Sequence, residues 1–145
     1  MLHELPQVTI AAINGACAGA GFGWAAACDL RYAAVSANFN SAFLGVGISG
    51  DMALPWFLPR IVGASRAREL MFLHRKFNAA EAERIGFVSQ TIPDEDFRDA
   101  VAAVTRRLAK SAPLALRAVN RRSDAGLDSQ SDADPGEGVT AVGAS

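Results

Sequence analysis

The features of this 145-residue sequence best suited to chemistry are a run of small residues, Gly19-Ala20-Gly21, and a single carboxylate, Asp51. The run precedes a predicted short helix over residues 22–28. N–H groups at the start of a helix are unpaired and carry partial positive charge, and glycine lets a ligand oxygen approach the main chain closely. Such a turn can stabilise negative charge that develops on an oxygen, for example in the enolate of a thioester. Tight packing of a strand on a helix, without a ligand, explains the same spacing equally well.

Two other interpretations of the glycine-rich stretch are weaker. Residues 5–28 carry no charge and are long enough to cross a bilayer, but Gln7, Asn14 and the glycines disfavour a membrane span. The residues Gly21-x-Gly23-x-x-Ala26 fit a dinucleotide-binding fingerprint. That site needs a tight strand-to-helix turn and an acid about twenty residues further on. The predicted strand ends too early, at Ile13, and residues 32–50 contain no acid.

Asp51 is the second candidate because it is the only acid between Arg31 and Glu69 and lies in a glycine-rich, apolar loop. Apolar surroundings raise the pKa of a carboxyl group and make it a more useful base near neutral pH. The alternative is that Asp51 caps a helix that begins shortly after it, since Asp is a favoured N-cap residue. The two roles are compatible.

Composition favours a globular chain and argues against several classes of function. Half of the residues are hydrophobic and the formal net charge is −1, which disfavours disorder and offers no cationic surface for nucleic acid. Cys17 and Cys28 are predicted to be core residues in a reducing compartment, and with no second Cys or His at metal-binding spacing we expect no metal site. The first ten residues lack the basic start of a signal peptide. We therefore predict a cytoplasmic protein without a membrane segment.

Charge divides the chain into three predicted regions. Thirteen of the fourteen basic residues come from Arg60 onward, and segments depleted in charge are usually buried. We predict an interior region over 1–59, a helical region over 60–123 and a disordered tail over 124–145. Patterning predicts strands over 8–13, 30–35 and 87–92, and helices over 64–74, 79–85, 94–110 and 111–122. Strands separated by helices indicate an α/β fold.

Two long segments carry a resemblance to a known family. The stretch IAAINGACAGAGFGWAAACDLRYA resembles the signature of the crotonase, or enoyl-CoA hydratase/isomerase, family. That signature runs from an Ile-Ala strand through Asn-Gly and a glycine triplet to a helix and Cys-Asp. The segment LPRIVGASRARELMFLHRKFNAAEAERIGFVSQTI resembles the downstream block of the family. The two segments stand in the family's order, and the resemblance as a whole runs from about Pro6 to Asn120.

The resemblance implies a crotonase-like spiral of β-β-α turns, here partial, that acts on acyl-CoA thioesters as a homotrimer or hexamer. It implies two main-chain N–H donors for the thioester oxygen, and the second donor corresponds to Ala20. It implies no cofactor, because coenzyme A is part of the substrate. The family's first donor and much of its coenzyme A contact surface correspond to a region that precedes this sequence.

The sequence departs from the family pattern at the two glutamates that serve hydration. The matching positions are Gly23 and Phe43, and neither can transfer a proton. Some isomerase-like members place a single catalytic Asp in a loop like that of Asp51. A single carboxylate is sufficient for moving a double bond, because one group can remove a proton from one carbon and return it to another.

We therefore predict an acyl-CoA enzyme that favours isomerisation over hydration, with Asp51 and the Ala20 N–H as catalytic groups. Gly19, Gly21, Phe43 and Trp56 are the predicted substrate-binding residues, although core packing explains the two aromatic side chains equally well. The alternative is a non-catalytic crotonase-like remnant or assembly module.

Overall fold

The computed structural model describes residues 7–41, 54–111 and 139–144, the last six by their backbone. Its elements are β1 (Val8–Ile13), β2 (Ala16–Ala18), α1 (Ala20–Ala27), β3 (Leu30–Ala34), β4 (Asn38–Asn40), α2 (Leu54–Val62), α3 (Ala64–Leu73), β5 (Lys76–Asn78), α4 (Ala79–Arg84), β6 (Gln90–Ile92), α5 (Asp94–Lys110) and β7 (Val139–Ala144). The mixture confirms the predicted α/β class.

Two successive β-β-α units, β1-β2-α1 and β3-β4-α2, build the part of the fold that holds the glycine turn. β1 pairs with β3 in parallel, Ile10 opposite Leu30, and β2 pairs with β4 in parallel, Cys17 opposite Phe39. Among the described strands, one sheet has the order β6-β3-β1-β7 and a smaller one the order β2-β4-β5. The chain therefore crosses from one sheet to the other within each unit, as in a spiral.

Local signals in the sequence explain several helix boundaries. The Asn78 side chain accepts a hydrogen bond from the Glu81 N–H at 2.9 Å and caps α4, as the spacing of these residues predicts. Gly86 follows the end of α4 with a φ of 85°, the left-handed conformation that glycine favours after a helix. α5 begins with three acidic residues and has Arg107 and Lys110 in its last turn, which matches the helix dipole.

Side chains from the predicted regions 1–59 and 60–123 pack together in the hydrophobic core, so the two regions are not separate units. Phe22 stacks on Phe87 with ring centroids 4.8 Å apart, and Phe39 stacks on Phe77 at 5.1 Å. Each pair combines a residue before position 60 with one after it. The predicted boundary at residue 59 also falls inside α2. Buried residues between Ala11 and Phe39 and between Leu54 and Val88 therefore share the larger hydrophobic core, while Ala34 packs with Ile92, Phe97 and Val101 in a second cluster.

The C-terminal end departs from the predicted disordered tail. Residues 139–144 form β7, which pairs in parallel with β1 along all six residues, from Val8 opposite Val139 to Ile13 opposite Ala144. This segment, VTAVGA, is rich in β-branched residues and has no charge, properties that favour a strand. Because the residues before this segment are acidic and rich in Gly and Ser, the sequence predicted disorder over the whole C-terminal region. Residues 124–138 and 145, and most of the helix predicted over 111–122, lie outside the described residues.

Candidate functional site

The glycine turn joins β2 to α1 through a conformation that depends on glycine. Gly19 has φ 56° and ψ −126°, a region that side-chain-bearing residues rarely adopt. The Gly23 N–H donates to the Gly19 carbonyl at 3.2 Å and makes the first bond of the helix. The N–H groups of Ala20, Gly21 and Phe22 therefore precede the first intrahelical hydrogen bond, as expected for the first turn of a helix.

The turn faces open space in the described structure. Ala20 is exposed, and Gly19 and Gly21 are half-buried. A Cβ atom built on Gly19 or on Gly21 would meet no atom of residues 7–41, 54–111 or 139–144 within 4 Å. A ligand oxygen can therefore come close to the main chain at this point.

The electrostatics of the turn favour an anion. Among the described residues, no side chain caps α1 at Gly19, and the first turn of α1 contains no acid. By contrast, the first turn of α5 carries Asp94, Glu95 and Asp96. The partial positive charge at the start of α1 is consequently not neutralised by an acid of its own first turn.

The opposite end of α1 is anchored by Arg31 of β3. The Arg31 guanidinium donates from Nη1 to the Cys28 carbonyl at 2.5 Å and to the Ala25 carbonyl at 3.4 Å. Its Nε–H donates to the Phe87 carbonyl at 2.6 Å. Burial lowers the pKa of this guanidinium, and the neighbouring Cys28 and Asp29 raise it. An arginine nevertheless stays protonated, so it complements the negative end of the helix dipole.

Asp29 ties the same end of α1 to β1. The Thr9 main-chain N–H donates to Asp29 Oδ2 at 2.8 Å, and the Thr9 hydroxyl donates to the same oxygen at 3.1 Å. The Thr9 hydroxyl oxygen in turn accepts from the Asp29 N–H at 2.9 Å. Thr9 is fully buried. Asp29 of the Cys-Asp motif therefore fixes the C-terminal end of α1, hereafter its closed end, to β1.

Both cysteines lie in the core, as predicted. Burial raises the pKa of the Cys17 thiol to about 12, with a smaller contribution from the nearby Cys28. Burial also raises the pKa of Cys28. Thiols of this kind are inert.

Of the remaining predicted site residues, the structure describes Trp56 but not Asp51 or Phe43. Trp56 lies half-buried on α2, which packs against α1. The Arg60 guanidinium lies over the Trp56 ring, 3.9 Å from its centroid, and the Trp56 and Phe57 rings form a T-shaped pair with centroids 4.8 Å apart. Asp51 and Phe43 lie outside the described residues.

The structure removes the two weaker interpretations of the glycine-rich stretch. The charge-free segment is divided into a strand, a second short strand and the eight-residue α1. Among residues 7–41, 54–111 and 139–144, no helix has the length and apolar character needed to cross a bilayer. Gly23 is buried as the fourth residue of α1, whereas the fingerprint needs its second glycine at the strand-to-helix turn beside the ligand, so the match is a coincidence of spacing.

Sequence reasoning missed Arg31 and Thr9, the two residues that anchor α1. One signal was available for Arg31, because it is the only basic residue before Arg60. A lone charge in an apolar stretch needs a partner when it is buried. For Thr9 no signal distinguished it from other β-branched residues of the strand.

Comparison with known proteins places the chain in a family. The family model described as enoyl-CoA hydratase/isomerase matches residues 1–135. A protein of Mycobacterium tuberculosis named a probable enoyl-CoA hydratase is 41% identical over 132 residues, which are 90% of this chain and 46% of that protein. The chain thus spans about half the length of the curated relatives it matches.

Solved structures show the same fold. A monofunctional enoyl-CoA isomerase from Mycobacterium smegmatis superposes with a TM-score of 0.80 at 41% identity, covering 88% of this chain and 60% of that one. A probable enoyl-CoA hydratase/isomerase from Mycobacterium abscessus gives a TM-score of 0.82 at 38% identity, covering 88% and 49%. The predicted crotonase-like architecture is confirmed. The chain belongs to the enoyl-CoA hydratase/isomerase family.

Proposed function

We propose that this chain acts on acyl-CoA thioesters, with the Ala20 N–H as a donor to the thioester oxygen and Asp51 as the group that moves a proton. The start of α1 carries the proposal, because its first turn contains no acid and, among the described residues, no atom lies within 4 Å of a Cβ built on Gly19 or Gly21. The names of the relatives support the substrate class, since they refer to enoyl-CoA.

The reaction we favour is the movement of a double bond from C3–C4 to C2–C3 of the acyl chain. The Asp51 carboxylate removes a proton from C2, and the electron pair of the C2–H bond moves onto the thioester as an enolate. Hydrogen bonds at the enolate oxygen stabilise this charge. The carboxyl group then returns the proton to C4, so that the product is an isomer of the substrate and Asp51 is regenerated.

Isomerisation is favoured over hydration because Gly23 and Phe43 occupy the two positions at which the family's hydratases carry glutamates. Gly23, buried on α1, offers no acid at a place where the family's hydratases carry a glutamate. Phe43 fills the second such position. Hydration needs a positioned water as well as proton transfer, and a single carboxylate serves that chemistry less well.

A spectroscopic assay of 3-enoyl-CoA to 2-enoyl-CoA conversion tests the proposal. We expect activity in the unaltered protein and a fall in kcat of about 10²- to 10⁴-fold in Asp51→Asn, the usual contribution of a general acid–base group. Asp99→Asn, at an exposed position on α5, is the matched control and should retain full activity. Unchanged activity in Asp51→Asn would remove Asp51 from the mechanism.

The second candidate is a non-catalytic remnant or assembly module of the same family. It is favoured by one observation, that Gly23 and Phe43 stand at the positions of the two hydratase glutamates and neither can transfer a proton. A protein that neither converts 3-enoyl-CoA nor binds acyl-CoA would fit this alternative and contradict the first.

We further propose that the protein is a homotrimer or hexamer in the cytoplasm. In this proposal it needs no metal or separate cofactor and binds neither nucleic acid nor membranes. Light scattering of the purified chain measures the assembly directly. A monomeric mass would contradict the proposed assembly and leave the proposed chemistry to the enzyme assay.

A further inference from the structure

We propose that Arg31 is a positioning residue for the Gly19-Ala20-Gly21 turn: by fixing the closed end of α1, it sets the direction of the N–H groups at the open end. This inference rests on the proposed function of that turn. Arg31 does not lie in the turn itself, and it acts through the helix.

α1 is poorly equipped to hold its own orientation. Gly21 and Gly23 lie within its eight residues, and each glycine costs a helix about 1 kcal/mol relative to alanine. Its last three residues, AAA, are alanines, which give few protruding side chains to interlock with neighbouring elements. Contacts outside the helix must therefore define its direction.

Arg31 and Phe87 supply such contacts at both ends of the helix. Phe87 stacks its ring on Phe22 in the first turn of α1, 4.8 Å between centroids. Its carbonyl accepts from Arg31 at 2.6 Å, and the Arg31 guanidinium also lies 5.7 Å from the Phe87 ring centroid. From there Arg31 reaches the carbonyls of Ala25 and Cys28. One side chain thus connects the end of α1 to the residue that packs against its beginning.

The length of α1 makes this anchor mechanically significant. Eight residues span about 12 Å, so a tilt of about 5° at the closed end displaces the open end by about 1 Å. A misplacement of that size can reduce a catalytic rate by about a hundredfold. Lysine cannot replace Arg31 in this role, because an ammonium group lacks the planar fork that reaches separate carbonyls at once.

The test compares Arg31→Lys with Arg84→Lys. Arg84 is exposed and pairs with Glu81 on α4 at 3.2 Å, so its replacement retains charge without touching α1. The probe is a dimethylamino-substituted cinnamoyl-CoA, whose absorption moves to the red when its thioester carbonyl is polarised. In Arg31→Lys we expect a clearly smaller red shift and a fall in kcat of about ten- to a hundredfold, with KM changed less than threefold. Arg84→Lys should match the unaltered protein in all three.

Amide NMR distinguishes a failure of this inference from a failure of the proposed function. The Ala20 and Gly21 amide signals of the unliganded protein should move in Arg31→Lys and not in Arg84→Lys. If they move while the unaltered protein gives no red shift with the probe, Arg31 orders the turn and the thioester role is wrong. If Arg31→Lys folds with unmoved signals and an unchanged red shift, the positioning role is wrong.

A further variant covers the case in which Arg31→Lys does not fold. Arg31→Ala removes Cγ, Cδ and the guanidinium group, the atoms that ethylguanidine supplies. Added ethylguanidine should restore the Ala20 and Gly21 signals and the red shift in a saturable manner, whereas ethylamine at the same concentration should not. Equal restoration by ethylamine would show that charge alone is needed, and would overturn the role of the guanidinium geometry.

Discussion

The two ends of α1 differ in exposure, in charge and in hydrogen bonding. The N-terminal end is glycine-rich and open, and its first turn has no acidic residue. The C-terminal end is buried against Arg31, and Thr9 clamps the adjoining Asp29. The difference shows how a short helix of low intrinsic stability can be held at one end by charge and hydrogen bonds, while the described residues leave its other end without a side-chain cap.

The largest expected effect is a difference in thiol-labelling rate between the folded protein, whose cysteines are buried, and the unfolded protein. Because burial raises the pKa of Cys17 from 9.0 to about 12, the thiolate fraction at neutral pH falls about a thousandfold. We expect an aromatic disulfide reagent to label Cys17 in a folded Cys28→Ser variant at least that much more slowly than in the same variant unfolded in guanidinium chloride. Cys17→Ser leaves Cys28 as a separate reporter on the closed end of α1. Rapid labelling of folded Cys17→Ser would show that the C-terminal end of α1 is accessible to solvent, and would contradict the difference between the two ends of the helix.

Removing the Thr9 hydroxyl should weaken the closed end considerably. Thr9→Val deletes the donor to Asp29 Oδ2 and the acceptor for the Asp29 N–H within a buried site. We expect a loss of about 2 kcal/mol in the free energy of unfolding, measured by urea denaturation, because buried polar groups are left without these partners. The control is Thr105→Val on α5, whose hydroxyl bonds only locally to the Val101 carbonyl at 3.0 Å. Equal effects at both positions would mean that Thr9 has no special role.

The open end should respond to glycine replacement in opposite directions at two neighbouring positions. Gly19→Ala forces a side chain into φ 56° and should cost about 1–2 kcal/mol of stability. Gly21 lies in the helix, and a Cβ built on it meets no described residue within 4 Å, so Gly21→Ala should stabilise by about 0.5–1 kcal/mol through helix propensity. Thermal unfolding of the two variants measures both signs. Destabilisation by Gly21→Ala would show that the space beside the turn is filled.

Local sequence signals predicted the elements that local interactions determine. The Asn78 cap, Gly86 after α4 and the charges at the two ends of α5 all act within a few residues of themselves. β1 follows from a run of apolar and β-branched residues. The glycine turn was also found in this way, because glycine has few roles other than turns and close approach.

Features that depend on distant residues were missed. β2 and β5 have three residues each and exist only through pairing with β4. Arg31 and Phe87 are 56 positions apart, and no periodicity connects them. The strand predicted over 87–92 is observed only over Gln90–Ile92, because Phe87 and Val88 instead enter the core after α4.

The proposed contact between the Ala20 N–H and the thioester oxygen can be tested by substituting the backbone itself. Incorporating lactic acid in place of Ala20 replaces this one N–H by an ester oxygen and leaves every side chain intact. We expect a fall in kcat for isomerisation of about 10²- to 10³-fold, the usual cost of losing one oxyanion donor, together with a smaller red shift of the bound cinnamoyl-CoA probe. A folded ester variant with unchanged kcat and an unchanged red shift would show that the Ala20 N–H does not bind the thioester oxygen.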